Sequence, residues 1–210
     1  MCYNVENTKL KEQYLQMSMA KEQKINIRKL TYMALFTAIV FVLQIISFFM
    51  RGPVFSLTFV LVPIVIAVAV CGTKAGPWLG FVFGIAVLVT GDANAFLAID
   101  PVSTVIVVLL KGTLAGLAAA LVYKLLEKKN RYLAVALAAV SAPVVNSGVF
   151  FLGSVTLFLE PLKVWAGSTD VLVYIVTVLI GVNFIIEVAV NLILVPTIYR
   201  IVEISKRKIK

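Results

Sequence analysis

Long apolar segments alternate with short polar connections along the chain, and six such segments lie between residues 31 and 202. A bilayer core about 30 Å thick is crossed by roughly 20 apolar residues in a helix, so each segment is a candidate transmembrane span. Turn-forming residues, many of them glycine and proline, separate the segments. The predicted spans are 31–49, 57–71, 78–90, 102–126, 132–159 and 171–202.

The composition supports an environment of lipid. Of the 210 residues, 61% are hydrophobic and only 14% are charged. A soluble domain of this length could not bury so much apolar surface, so lipid is the expected solvent for most of the chain. The sequence therefore predicts an all-α integral membrane protein with six transmembrane helices in one membrane domain over residues 30–204. A basic amino-terminal tail or interfacial helix at 1–29 precedes this domain, and a basic tail at 205–210 follows it.

Basic residues concentrate on one side of the predicted topology. With six spans both termini lie on the same side, and 16 of the 19 lysines and arginines fall there: in the two tails, in the connections near residues 74 and 124–131, and at Arg200 near the end of the sixth span. Cytoplasmic loops of membrane proteins carry such an excess of Lys and Arg. We therefore predict that both termini are cytoplasmic. Orientation in the membrane accounts for the net charge of +9, and we expect no nucleic-acid partner.

Polar side chains inside the spans need a physical reason, because an unpaired polar group in lipid costs several kcal/mol. Lys111 lies about 15 Å into the fourth span, and Asn146 lies near the middle of the fifth. The sixth span carries Asn183, Glu187 and Asn191 at a spacing of four residues, which places them on one helical face. One interpretation is that Lys111, Asn146, Asn183 and Glu187 converge on a solute.

A structural interpretation of the same residues stays open. Lys111 and Glu187 would then form an ion pair, and the asparagines would hold neighbouring helices together. We favour that structural role for Asn191, which lies closest to the cytoplasmic end.

The outer connections supply a second group of candidates. Asp92 and Asn94 follow the third span, and Trp165 lies in the last outer loop. These residues are predicted to contact the solute from a loop above the pocket, although solvated turns and membrane interfaces also recruit such side chains. Gln44, near the outer end of the first span, could line the pocket or reach interfacial water, and we favour the second role.

Motifs for catalysis and metal binding are missing from the sequence. Histidine is absent, and the two cysteines, Cys2 and Cys71, lie far apart. No phosphate-binding loop, nucleophile elbow or zinc signature occurs. We therefore predict a protein that is not an enzyme, with no metal site and no cofactor. Uphill transport would need an ion gradient or a separate ATPase subunit.

Several short motifs occur together in the predicted spans. Ala34 and Ala38 form a small-xxx-small pair, which lets a second helix approach closely. With them occur the glycine-rich stretch 72–80, the Asp100-Pro101 pair, and Lys111-Gly112 followed by Gly116. In this combination the chain resembles the S components of energy-coupling factor (ECF) transporters, over about residues 28–203. Its segments 143–146 and 181–187 look most similar to those of pantothenate-type members.

The resemblance implies a function and a set of partners. S components are multi-pass proteins of the prokaryotic plasma membrane that capture a water-soluble vitamin from outside the cell. In the family, the motif matched by Ala34 and Ala38 docks on a transmembrane T subunit, which two ABC-type ATPase subunits drive. Pantothenate or a related small carboxylate would suit the cationic Lys111. The alternative is a self-sufficient secondary transporter that uses Glu187 for ion coupling.

Overall fold

The structure is a computed structural model that describes residues 27–50 and 59–209, and the regular structure in these ranges is entirely helical. A π-helical segment, Ile175–Gly181, joins the last two α-helices into one continuous run. The α-helices in chain order are α1 (Ile27–Phe49), α2 (Leu61–Cys71), α3 (Ala75–Val89), α4 (Asn94–Leu97), α5 (Pro101–Leu126), α6 (Arg131–Leu157), α7 (Leu159–Ala166), α8 (Val171–Tyr174) and α9 (Val182–Ile209).

Four helical runs are long and apolar enough to cross a bilayer. They are α1, α5, α6 and the continuous run Val171–Ser205 that contains α8, the π-helical segment and most of α9. Helices α2 and α3 are also apolar, but with 11 and 15 residues they are shorter than a typical crossing. The predicted all-helical membrane fold is confirmed, and four of the six predicted spans have crossing length.

The helix boundaries differ from the predicted ones mainly at the ends and in the predicted outer loops. Helix α1 begins within the segment predicted as a tail, and α9 continues through Ile209. Residues 1–26 of that tail lie outside the described residues, and so do residues 51–58, which include most of the first predicted outer loop. The other two predicted outer loops contain α4 and α7, which the sequence analysis did not predict. A search for apolar runs of about 20 residues passes over such short helices, and α7 is amphipathic, with Leu162 and Ala166 buried.

Helix α2 occupies the centre of the bundle. Its residues from Ile64 to Ala69 are all buried, and it packs against α3, α5, α6 and α9. A helix surrounded on all sides by other helices needs no polar face, which explains why its sequence is apolar all round. Val40 of α1 joins the same buried cluster.

Glycines bring α3 and α5 into backbone contact. Gly76 lies against Gly116, and Gly80 lies against Gly112, so the two helices are antiparallel. A Cβ atom on any of these four glycines would overlap a backbone carbonyl group of the facing helix. The spacing of four residues on both helices is the small-xxx-small pattern that permits close approach within membranes.

The two ends of the helical bundle differ in charge. Arg131 and Glu203 form an ion pair at 2.9 Å, which joins the start of α6 to the end of α9. Trp78 donates a hydrogen bond to Thr37 at 3.4 Å near the same end. The basic residues Lys74, Lys124, Lys128, Lys129 and Arg131 therefore lie at one end, and Asp92, Asp100 and Asp170 lie at the other.

Asp100 begins α5 at the acidic end. Its carboxylate accepts hydrogen bonds from the Ser103 hydroxyl and from the backbone N–H groups of Val102 and Ser103, and Pro101 fills the first helical position. These hydrogen bonds, above all that from the Ser103 hydroxyl, lower the pKa of Asp100. A charged carboxylate at this position satisfies the orphan N–H groups of the helix start and fixes the loop that leads into the helix carrying Lys111.

Candidate solute-binding site

Three of the predicted residues meet between α5, α6 and α9. The carboxyl group of Glu187 lies close enough to interact with the side-chain amide of Asn146 and with the charge of Lys111. The side chains of Asn146 and Glu187 are buried, with 9% and 6% of their surface exposed, and Lys111 is half-buried. The predicted convergence of these residues from three different helices is therefore present.

An aromatic ring lies beside the three polar groups. The ammonium nitrogen of Lys111 stands 5.2 Å from the centre of the Phe150 ring, a distance at which a cation is attracted to the face of an aromatic ring. Phe150 follows Asn146 by four residues on α6, so both side chains project from the same face of that helix. The sequence analysis missed Phe150, although this spacing from Asn146 was a usable signal.

Three further aromatic rings extend the site toward the acidic end of the bundle. Phe96 of α4 makes edge-to-face contacts with Phe150, Phe158 and Trp165, at centroid distances of 5.4, 5.2 and 5.5 Å. Trp165, predicted from its position in an outer loop, is thus connected to Lys111 through two intervening rings. Phe96 was not predicted, because it lies in a short helix that the apolar pattern does not reveal. We call Phe96, Phe150, Phe158 and Trp165 the aromatic cluster.

Some of the buried oxygen atoms at this site have no hydrogen-bond partner among the described residues. They include Oε1 of Glu187 and Oδ1 of Asn146. Asn191, one turn further along α9, is fully buried and donates a hydrogen bond to the backbone carbonyl of Glu187 at 2.7 Å, while its own Oδ1 also has no such partner. Buried polar groups in proteins are generally satisfied, so atoms of this kind mark places where water or a ligand binds.

The other predicted residues lie at different distances from this centre. Asn183 is half-buried one turn before Glu187, and its amide donates to the Leu179 carbonyl at 3.4 Å. Asp92 is contacted by Gln44 and belongs to the loop that leads into α4. Asn94 is exposed beside the turn at Gly91. The structure thus brings Lys111, Asn146, Glu187 and Trp165 into one connected group, with Asn183, Asp92 and Asn94 outside its centre.

Gln44 corrects one expectation. The side chain was expected to reach interfacial water, but only 1% of its surface is exposed. Its amide nitrogen donates to Oδ2 of Asp92 at 3.2 Å, because α1 runs parallel to α3 and its carboxy-terminal end therefore lies beside the loop that follows α3. The hydrogen bond connects the first helix to the loop that carries Phe96.

Ala34 and Ala38 lie on an exposed face of α1, whereas Val40 on another face is fully buried. The two alanines are therefore accessible to a neighbouring helix, as a docking motif requires.

A metal site would need several ligating side chains close together. In the described part of the chain, no three side chains of His, Cys, Asp or Glu are grouped in the way that a metal site would need.

Two comparisons with known proteins give matches. The sequence profile of the family described as "ECF transporter, substrate-specific component" matches residues 28–199. A solved structure of ThiT from Listeria monocytogenes superimposes with a TM-score of 0.63, over 84% of this chain and 98% of that chain, at 18% sequence identity. At this identity the superposition shows a shared fold. A search of curated proteins gives no match.

Proposed function

The chain belongs to the family of substrate-specific components of ECF transporters, and from this premise we propose that it captures a small water-soluble vitamin outside the cell for ATP-driven uptake. The observation that carries the proposal is the meeting of Lys111, Asn146 and Glu187 beside the aromatic cluster. Charged and amide groups this deep in an apolar bundle are costly unless they serve a ligand or one another. A pocket with a few polar groups and aromatic walls is typical of sites for small molecules.

In the proposed topology the four long helical runs and the shorter helices α2 and α3 all cross the membrane. The basic end of the bundle and both termini face the cytoplasm, in agreement with the distribution of Lys and Arg. The acidic end then faces outward, and the aromatic cluster lies between it and Lys111. A solute arriving from outside would pass α4 and α7 before it reaches the charged centre.

The proposed substrate class is pantothenate or a related small carboxylate. Lys111 offers a cation beside an aromatic ring, and a hydrogen bond between an ammonium group and a carboxylate is about twice as strong as a neutral one. Glu187 partly balances the charge of Lys111, which favours a solute that brings polar groups as well as a negative charge.

The proposed partners are a transmembrane T subunit and two ABC-type ATPase subunits. The exposed Ala34 and Ala38 would dock on the T subunit, since small side chains let two helices approach closely. ATP hydrolysis would take place on the partner subunits, so the chain itself would not be an enzyme.

Co-purification tests the docking role. The chain is expressed with a T subunit and both ATPases, and the expected result is a stable complex. Ala34→Trp or Ala38→Trp should abolish the complex and leave solute binding by the isolated chain intact. The control is Val102→Trp, at an exposed position of α5 near the opposite end of the bundle from Ala34, and it should assemble normally. Intact complexes in both alanine variants would contradict the docking role.

Native mass spectrometry of the gently purified chain tests solute capture. The expected result is a bound molecule of a few hundred daltons that Lys111→Met no longer retains. Uptake by the purified chain alone in proteoliposomes, driven by a proton or sodium gradient, would instead indicate a secondary transporter with Glu187 as its coupling group.

A further inference from the structure

Two buried acceptor atoms at the site belong to residues that interact with each other. Oε1 of Glu187 and Oδ1 of Asn146 are buried and have no hydrogen-bond partner among the described residues. The two side chains lie close enough to interact with each other. Both unpartnered atoms are oxygens: a carboxyl oxygen on α9 and an amide oxygen on α6.

Among the described residues, no group donates a hydrogen bond to either oxygen, although the ammonium group of Lys111 lies near enough to Glu187 to interact with its charge. Asn191, the nearest amide along α9, directs its nitrogen to the backbone carbonyl of Glu187. Phe150, the next residue on the same face of α6, contributes only an aromatic ring. A molecule bound here must therefore bring its own N–H or O–H groups, or it will displace water and leave both acceptors unsatisfied.

We infer that the transported solute carries at least two hydrogen-bond donor groups, hydroxyl or N–H, which bind Oε1 of Glu187 and Oδ1 of Asn146. The inference rests on the proposed capture of a solute at this site and adds a requirement to it. A simple carboxylate with an apolar remainder would pair with Lys111, but it would leave Oε1 of Glu187 and Oδ1 of Asn146 without a donor. A site that hydrogen bonds to donor groups rejects an analogue without them strongly, because its own buried acceptors are then left unpaired.

The retained solute itself provides the test. The purified chain is denatured, and the released molecule is measured by mass spectrometry in H2O and again in D2O. The mass difference counts its exchangeable hydrogens. The expected result is at least two exchangeable hydrogens outside any carboxyl group. A solute with none or one would overturn the inference and leave the proposed capture function standing. If the chain retains no molecule and binds none, the result contradicts both the inference and the proposed capture function.

Substitutions test whether the donor groups of the solute bind at Glu187 and Asn146. Glu187→Gln and Asn146→Leu each remove an acceptor. We expect each substitution to weaken the affinity for the solute at least about tenfold, and the fraction of chain that retains the solute in native spectra measures this change. Glu203→Gln is the matched control, since it makes the same change on the same helix near its basic end. Its occupancy should equal that of the parent chain. Equal occupancy in all four proteins would overturn the assignment, and circular dichroism confirms that each variant is folded.

Discussion

Helix α5 packs against α3 on one face and against α6 on another, and the two contacts differ in kind. Toward α3 it presents Gly112 and Gly116, whose backbones touch those of Gly80 and Gly76. Toward α6 it presents Lys111, which stands over the ring of Phe150 and interacts with Glu187 of α9. The first contact is apolar and too close to admit a methyl group. The second contains charges and buried oxygens that accept no hydrogen bond from the described part of the chain.

The difference separates a scaffold from a site. Close contact between glycines gains dispersion energy and leaves no room for change, so it fixes the positions of α3 and α5. A buried polar contact is weak evidence for stability, because the loss of hydration opposes the attraction between the charges. We therefore expect substitutions at the glycines to affect folding and substitutions at the polar residues to affect binding.

The largest effect is expected from Gly116→Val. Its side chain would overlap the backbone of Gly76, which cannot move as a flexible side chain would. Over-packing commonly costs about 1–3 kcal/mol, and a clash with backbone should reach or exceed about 3 kcal/mol. The melting temperature of the purified protein should fall by roughly 10 °C, or the variant should fail to fold.

Gly148→Val is the matched control, because nothing lies within 4 Å of a Cβ atom at Gly148. We expect a change of less than about 1 kcal/mol there, since valine has a higher helix propensity than glycine. Similar melting temperatures for Gly116→Val and Gly148→Val would show that the close contact between α3 and α5 does not fix the fold.

Next in size is Lys111→Met, which leaves Glu187 without its neighbouring cation. Breaking a fully buried pair costs about 3–5 kcal/mol. Lys111 is only half-buried. We therefore expect the free energy of unfolding, measured by thermal melting, to fall by about 2 kcal/mol, and we expect the solute to be lost.

Adding Glu187→Leu to Lys111→Met should restore stability and leave solute binding lost. Replacing both members of a buried pair by apolar residues is often neutral or stabilising. If the stability losses of Lys111→Met and Glu187→Leu, each measured alone, simply add in the double variant, the two side chains do not interact, which would contradict their assignment as a pair.

Much of the fold was predictable from the sequence, because a membrane helix must be both apolar and long. The long helices α1, α5 and α6 occur within a few residues of their predicted positions. Helices α4 and α7 were missed, since a short helix at the interface has no such constraint. The glycines of α3 and α5 could be seen to suit close packing, but which glycine faces which depends on the tertiary register.

The site was predictable in part. Charged and amide groups in apolar spans are rare enough to single out Lys111, Asn146 and Glu187, and these three do meet. Aromatic residues are common in membrane proteins, so Phe96 carried no comparable signal, and Phe150 was marked only by its spacing of four residues from Asn146. The partner of Gln44 was not predictable, because Asp92 lies 48 positions away in the sequence and the contact depends on how α1 packs.

A smaller effect is expected from Gly181→Ala in the π-helical segment that leads into α9. A Cβ atom there would approach the carbonyl oxygen of Val176 within 2.6 Å. The segment must then rearrange, and it precedes Asn183 and Glu187 by only a few residues. We expect a loss of about 1–2 kcal/mol in stability and a severalfold weaker affinity for the solute. Gly148→Ala, the same substitution at an open position, should change neither the melting temperature nor the affinity appreciably.

The smallest effect is expected from Gln44→Leu, which tests whether the scaffold and the site are connected. Leucine fills a similar volume but removes the hydrogen bond to Asp92, which is worth about 1 kcal/mol. Because the loop held by that bond leads to Phe96, the solute should dissociate severalfold faster while the melting temperature falls by only a few degrees. Asp92→Asn keeps an acceptor oxygen for Gln44 and should retain most of the parent's dissociation rate. An unchanged dissociation rate in Gln44→Leu would mean that the position of the aromatic cluster is set by α5 and α6 alone, and that α1 takes no part in holding the solute.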